Sequence, residues 1–294
     1  MLLRDYISNK DKKYQNLSFS GVSFDSSKVK KNYIFFAIRG NNYDGNDFIP
    51  QAIKNGAKII VSQKKLRLQK NVTFLRCSNV RKLLAEVSYK IFNKRPEKLI
   101  AVTGTNGKSS IADFYFQILN LNKKKVVSIG TIGVRDQNKR KNITNTTLDP
   151  IQLGRALFNL KKKKIKYVIM EASSHGLDQN RLDGLLFDIG IFTNLSHDHL
   201  DYHKNMKNYF SSKLYLFKKL IRKRGNIITD ANISQAKVIE NVAKKRKISF
   251  NPIFDKRGIN LISHRFANEK QILKIKFLNK EYDFRLNLVG KLQV

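Results

Sequence analysis

The chain has 294 residues, 41% of them apolar and 27% charged, with 58 Lys and Arg against 22 Asp and Glu for a formal net charge of +36. At roughly 150 residues per domain this length implies about two domains with sizeable cores, and the composition excludes a disordered chain. No apolar stretch nears the roughly 18 residues that span a bilayer, and the single cysteine, Cys77, excludes an internal disulfide.

The opening Met-Leu-Leu-Arg-Asp-Tyr lacks the apolar core of a signal peptide, so a soluble cytoplasmic protein, monomeric and without membrane insertion, is expected. Residues 33–38 (Tyr-Ile-Phe-Phe-Ala-Ile) read as a buried strand. Residues 47–56 read as a helix, with Asp47 its N-cap and Gly56 closing it, and 57–62 as the next strand. With a helix over 79–92, this rhythm predicts a small N-terminal α/β domain over residues 1–96, bounded by Pro96.

A second α/β domain is expected over 97–294. Strands are predicted at 98–103, 124–128, 167–170 and 187–192, and a helix at 109–120 carries Ile111, Phe114, Tyr115, Ile118 and Leu119 on its apolar positions. Continuous apolar strands separated by helices imply a mostly parallel sheet covered on both faces. After residue 245 the pattern alternates, as in Gln271-Ile-Leu-Lys-Ile-Lys-Phe277 and Tyr282-Asp-Phe-Arg-Leu-Asn-Leu288, which predicts antiparallel hairpins at the sheet edge.

Gly104-Thr-Asn-Gly-Lys-Ser109 lies between a predicted strand and a predicted helix, the setting of a phosphate-binding loop, although Val102 stands where the general pattern has its first glycine. Backbone N–H groups there face an anion, Lys108 adds a point charge, and Ser109 can ligate Mg²⁺. The alternative is an ordinary strand-to-helix turn. Two later strands end in chemistry: Tyr167-Val-Ile-Met-Glu171 presents a carboxylate, and Phe187–Phe192 runs into Thr193-Asn-Leu-Ser-His-Asp-His-Leu-Asp-Tyr-His203. Ligands bind outside the carboxyl ends of strands in open α/β sheets, so the loop, Glu171 and the Asp198–His199 pair are expected to share one crevice.

One lysine stands apart. On a helix predicted over 205–220, Tyr209, Phe210, Leu216 and Phe217 share a face with Lys213, which either points into that apolar stripe or snorkels past it. Burial lowers an ammonium pKa, and a neutral amine can take up CO₂ as a carbamate, an anionic partner for a metal.

Taken together, Gly104–Ser109, Asn145-Thr-Thr147, Glu171-Ala-Ser-Ser-His-Gly-Leu-Asp-Gln-Asn-Arg181, Asn194–His203 and Tyr209–Phe217 resemble the Mur ligases, in particular those members that lengthen UDP-MurNAc-L-Ala-D-Glu. Phe24-Asp-Ser-Ser27 and Asp44–Ile53 resemble their N-terminal domain, with Ser27 where the family has Arg. The resemblance implies a central P-loop mononucleotide-binding domain and an ATP- and Mg²⁺-dependent amide ligation through an acyl phosphate. It joins a diamino acid, meso-diaminopimelate or lysine, to UDP-MurNAc-dipeptide. It implies that Gly104, Thr105, Asn106, Gly107, Lys108, Ser109 and Ser110 hold ATP. Ser109, Glu171, His199 and a carbamylated Lys213 would attend the metal, with Lys108, Glu171, His199 and Lys213 catalytic. Phe24, Ser26, Asn41, Asn42, Tyr43, Asn145, Thr146, Thr147, Ser173, Gln179 and Arg181 would hold the UDP substrate. Leu288–Val294 resembles the stretch at which the family passes to its third, amino-acid-selecting domain, so a partial enzyme without that domain is expected.

Two other readings compete. His197, His199 and His203 could form the zinc site of a hydrolase. The net charge could serve nucleic acid, but the basic residues are spread along the chain with no recognition motif, so a solvated basic surface without nucleic-acid binding is expected.

Overall fold

In the computed structural model, which describes residues 1–7, 14, 16–40, 42–65, 71–137, 139–143, 145–267, 270–277 and 279–287, the early apolar runs lie side by side as a four-stranded parallel sheet. Its strands are β1 (Gly21–Ser23), β2 (Tyr33–Phe36), β3 (Ala57–Ser62) and β4 (Thr73–Arg76), in that order. Side chains alternate between faces of a strand, and here both faces are covered. Ile34, Phe36, Ile59 and Val61 pack with α1 (Leu3–Tyr6) and α3 (Val80–Ile91), while Phe35 and Ile60 pack with α2 (Ile49–Lys54).

The predicted helix at 47–56 starts differently. A 3₁₀ turn over Gly45–Phe48 precedes α2, and the cap is Asp44, not Asp47: its carboxylate accepts from the Asn46 N–H at 2.9 Å. Pro50, which lacks an N–H, occupies the first turn of α2 and so fixes where the α-helix begins. Gly56 closes the segment at φ +100°, as expected.

The second sheet has eight strands: β5 (Lys98–Thr103), β6 (Val126–Gly130), β7 (Gly133–Arg135), β8 (Arg140–Lys141), β9 (Tyr167–Glu171), β10 (Phe187–Phe192), β11 (Ile221–Asp230) and β12 (Ser249–Ile253). Their spatial order is β12-β11-β10-β5-β9-β6-β7-β8; the first six are parallel, β7 pairs antiparallel with β6, and β8 pairs antiparallel with β7. Helices α4 (Lys108–Leu121), α5 (Pro150–Lys162), α6 (Ser174–Asp178), α7 (Leu200–His203), α8 (Met206–Tyr215) and α9 (Ala236–Arg246) connect or cover them.

From β5 the chain first crosses to β6 on one side and later builds β10, β11 and β12 on the other, so a crevice opens at the carboxyl end of β5. Register carries this to single residues: Val102 of β5 pairs with Glu171 of β9, and Thr103 pairs with Phe192 of β10.

Two elements differ from expectation. The antiparallel hairpins are present as β13 (Asn260–Ala267), β14 (Lys270–Phe277) and β15 (Lys280–Leu286), but they form a sheet of their own, and the main sheet ends in parallel β12. The helix predicted to 220 is α-helical to Tyr215 and then widens into a π-turn over Leu216–Leu220, which buries Leu216, Phe217 and Leu220 together. Pro96 lies between α3 and β5, where the chain leaves one sheet for the other. Tyr89 of α3 reaches across to donate to the Arg181 carbonyl at 2.7 Å. No helix among the described residues is long and apolar enough to cross a membrane.

Candidate active site

The loop after β5 turns where only glycine fits. Gly104 has φ +149°, and a Cβ there would overlap the Thr193 side chain; Gly107 at φ +81° opens α4. The segment after β10 straps this loop down: Thr105 N–H donates to the Asn194 carbonyl (3.0 Å), Asn106 N–H to Asn194 Oδ1 (2.9 Å), and Thr193 Oγ1 to the Asn106 carbonyl (2.6 Å). Lys108 folds back onto the loop, its Nζ 2.7 Å from the Thr105 carbonyl and 3.1 Å from that of Gly104. Burial lowers its pKa, and Glu171 and Asp198 work in the opposite direction.

A cavity of about 330 Å³ lies over this loop, lined by its residues 105–110 together with Thr131, Thr146, Glu171, Ser173, His199, Tyr209 and Lys213. Glu171 is buried at the end of β9 and accepts from Ser109 Oγ (2.9 Å), the Thr131 N–H (2.8 Å) and Thr131 Oγ1 (3.2 Å). Lys213 is 1% exposed, which resolves its orientation toward burial. Its Nζ donates to the Gly104 carbonyl at 2.7 Å and lies 4.2 Å from the centre of the Tyr209 ring. Burial, aided by the charge of Lys108, pushes its pKa down from 10.5 to about 7. His199 sits in the left-handed region (φ 52°, ψ 30°), an uncommon conformation for a non-glycine residue, and its Nε2 lies 3.4 Å from the Asp198 carboxylate.

A larger cavity of about 620 Å³ opens between the two sheets, and Phe24, Asn42, Tyr43, Asn145, Gln179 and Arg181 all line it. One short loop serves both spaces, Asn145 facing this cavity and Thr146 the smaller one. Between them Thr147 is buried; its Oγ1 donates to the Glu171 carbonyl (2.9 Å), while its own carbonyl accepts from Arg181 (2.5 Å).

Not every expected residue gathers. Ser26 is buried in a 3₁₀ turn with its hydroxyl 2.6 Å from Gln51 Oε1, and it lines neither cavity. Asn41 and the Leu288–Val294 stretch lie outside the described residues. The proposed zinc trio does not converge: His199 lines the phosphate-loop cavity, His203 a different hollow, and His197 neither. Among the described residues no group of three or more His, Cys, Asp or Glu could hold a metal. Sequence reading missed Thr131 and Arg81. Arg81 lines the larger cavity, donates to the Arg39 carbonyl at 2.9 Å, and has no carboxylate within ion-pair distance among the described residues.

This arrangement can hold a polyphosphate and a hard cation. Loop amides and Lys108 meet the anion, and the oxygens of Ser109 and Glu171 suit Mg²⁺, which takes one or two carboxylates and completes its shell with phosphates and water. A second anionic ligand fits the larger cavity, where Arg81 and Arg181 face one space and the lining carboxylate, Asp149, is engaged in capping α5.

Comparison with known proteins identifies the family. Residues 102–294 match the Mur ligase middle domain and residues 18–101 the Mur ligase family, catalytic domain. The chain is 36% identical over 287 residues to the UDP-N-acetylmuramoyl-L-alanyl-D-glutamate–2,6-diaminopimelate ligase of Rickettsia conorii, covering 95% of this chain and 59% of that protein. It is 41% identical over 214 residues to the protein of the same name from Fusobacterium nucleatum, covering 72% and 43%. A solved structure of a ligase of this name superposes with a TM-score of 0.85 at 24% identity, over 100% of this chain and 61% of that one.

Proposed function

The chain belongs to the Mur ligase family, and on that premise we propose that it serves an ATP-dependent amide ligation of peptidoglycan precursor synthesis, adding 2,6-diaminopimelate to UDP-MurNAc-L-Ala-D-Glu in the cytoplasm. The chain spans about 59% of the length of its Rickettsia relative. We further propose a division near residue 96 into a UDP-substrate unit and an ATP unit.

The observation that carries this reading is the shared Asn145–Thr147 loop. It places the arginine-lined cavity against the phosphate-loop cavity, so an elongated anionic substrate in the first can direct its terminal carboxylate at a nucleotide in the second. That carboxylate attacks the γ-phosphorus, ADP leaves, and an acyl phosphate remains. The incoming amine then adds to the acyl carbon, and phosphate departs.

Residues 104–110 cradle the phosphates, and Lys108 exchanges its two loop carbonyls for phosphate oxygens, offsetting charge that builds as the γ-phosphoryl group transfers. Mg²⁺, when bound, neutralises phosphate charge, and Ser109, Glu171, His199 and a carbamylated Lys213 would hold it. Arg181, oriented by two bonds to Gln179 Oε1 (2.8 and 3.1 Å), steadies the substrate's anionic end with Arg81 beside it.

Isothermal titration with a non-hydrolysable ATP analogue tests the reading. Lys108→Ala should weaken its binding at least tenfold, the loss of one charge-assisted contact of about 1.5–3 kcal/mol, and leave binding of UDP-MurNAc-L-Ala-D-Glu within about twofold. Equal binding by the variant, or a wild-type chain that binds neither compound, contradicts it.

A further inference from the structure

Thr131 falls in none of the motifs read from the sequence, yet it contacts both Glu171 and Thr146 in the site. It follows β6, whose register beside β9 pairs Ile129 with Met170 and so brings the next residues level with Glu171. Its N–H donates to one oxygen of the Glu171 carboxylate at 2.8 Å, and its hydroxyl reaches the other at 3.2 Å. The same hydroxyl lies 3.1 Å from Thr146 Oγ1, on the loop that serves both cavities.

The direction of these bonds is fixed by chemistry. A carboxylate only accepts, so the single proton of the Thr131 hydroxyl is committed to Glu171. The contact with Thr146 therefore requires Thr146 to donate. The result is an oriented chain, Thr146 O–H to Thr131 O–H to Glu171, in which each bond polarises the next. Ser109 Oγ and the Thr131 N–H meet on Oε1, so Oε2 is held by the Thr131 hydroxyl alone among the contacts described.

We propose that Thr131 is a positioning residue: it fixes the plane of the Glu171 carboxylate for the metal–nucleotide complex and ties that plane to the substrate loop through Thr146. The inference rests on the nucleotide reading above. Groups that orient a metal-ligating side chain typically change metal affinity by about 10- to 100-fold. Thr131 is solvent-exposed, so replacing its hydroxyl by a methyl group leaves the fold intact.

The test measures Mn²⁺ affinity by electron paramagnetic resonance, in the presence of a non-hydrolysable ATP analogue, without turnover. Thr131→Val should weaken Mn²⁺ at least about tenfold, while Thr131→Ser, which keeps the hydroxyl, stays within about threefold of wild type. Thr146→Val should weaken Mn²⁺ in the wild-type background and add nothing in Thr131→Val, because its influence passes through Thr131. Wild-type affinity in Thr131→Val, failure of serine to rescue, or additive losses in the double variant would each overturn the proposal. A wild-type protein that binds no nucleotide would instead overturn the reading on which it rests.

Discussion

Lys213→Met is expected to melt at a higher temperature than the wild-type protein and, on the proposed function, to lose whatever turnover the wild-type chain supports. The ammonium is 1% exposed, and among the described residues its one hydrogen-bonding partner is a neutral carbonyl, that of Gly104. Burial first, then Lys108, drives its pKa from 10.5 to about 7, and Asp198 recovers only part of that shift. At about 1.4 kcal/mol per unit, keeping the lysine charged in the fold costs on the order of a few kcal/mol.

The sign of the pH dependence follows. The folded pKa lies below the unfolded one, so between pH 7 and 10.5 the unfolded chain binds more protons, and stability rises with pH across that window. Below pH 7 the penalty is complete. Methionine has similar length and no charge, so its stabilising effect should be large at pH 6 and shrink by pH 9. Thermal midpoints at the two pH values check this, and equal destabilisation at both contradicts it.

On the proposed function, Lys213 trades stability for chemistry at the metal. Above pH 7 the neutral amine can take up CO₂ as a carbamate. With ¹³C-bicarbonate, the wild-type protein should show a carbamate signal that grows from pH 6 to 8, and the methionine variant none. Turnover should fall at least ~10²-fold, the scale of losing one electrostatic element of a site.

Gly130→Ala should sharply weaken metal–nucleotide binding while leaving the fold in place. A Cβ at Gly130 would overlap the side chain of Glu171 along its carboxylate and Cγ. Gly130 ends β6 without a positive φ, so alanine suits the backbone there. What must move is therefore the carboxylate, and moving it breaks its bonds to Ser109 and Thr131. We expect Mn²⁺ affinity to fall about 100-fold, the upper end for a displaced ligand's supporting contacts, with the circular dichroism spectrum unchanged. Wild-type affinity in this variant would mean that Glu171 does not hold the metal.

Much of this was legible in the sequence because it rests on local signals. Leu99–Val102 is an unbroken apolar run and Phe187–Phe192 is interrupted only by Asp188, a pattern that at this length suits a strand covered on both faces. Lys213 announced itself through its i−4 and i+4 aromatic neighbours, Tyr209 and Phe217, which are buried with it. Asp44 was missed as a cap because Asp47 stands closer to the apolar run, and the choice depends on where Pro50 lets the helix start.

Thr131, Gly130 and Arg81 were not legible for another reason. Their importance comes from pairing across strands and from packing between sheets. The β6–β9 register sets Gly130 and Thr131 against Glu171, and no spacing along the chain encodes that neighbour. Ser26 shows the converse: a residue that fits a motif can be turned inward, here to hydrogen-bond Gln51.

The central claim is that a carboxylate lying in the larger cavity attacks a γ-phosphoryl group held over residues 104–110. The most direct measurement follows an isotope. UDP-MurNAc-L-Ala-D-Glu labelled with ¹⁸O in its terminal carboxylate is incubated with the protein, MgATP and diaminopimelate, and the released phosphate is analysed by mass spectrometry. One ¹⁸O atom should pass from the carboxylate into each phosphate formed. Phosphate that is released in the same reaction and carries no label would show that the carboxylate never meets the nucleotide.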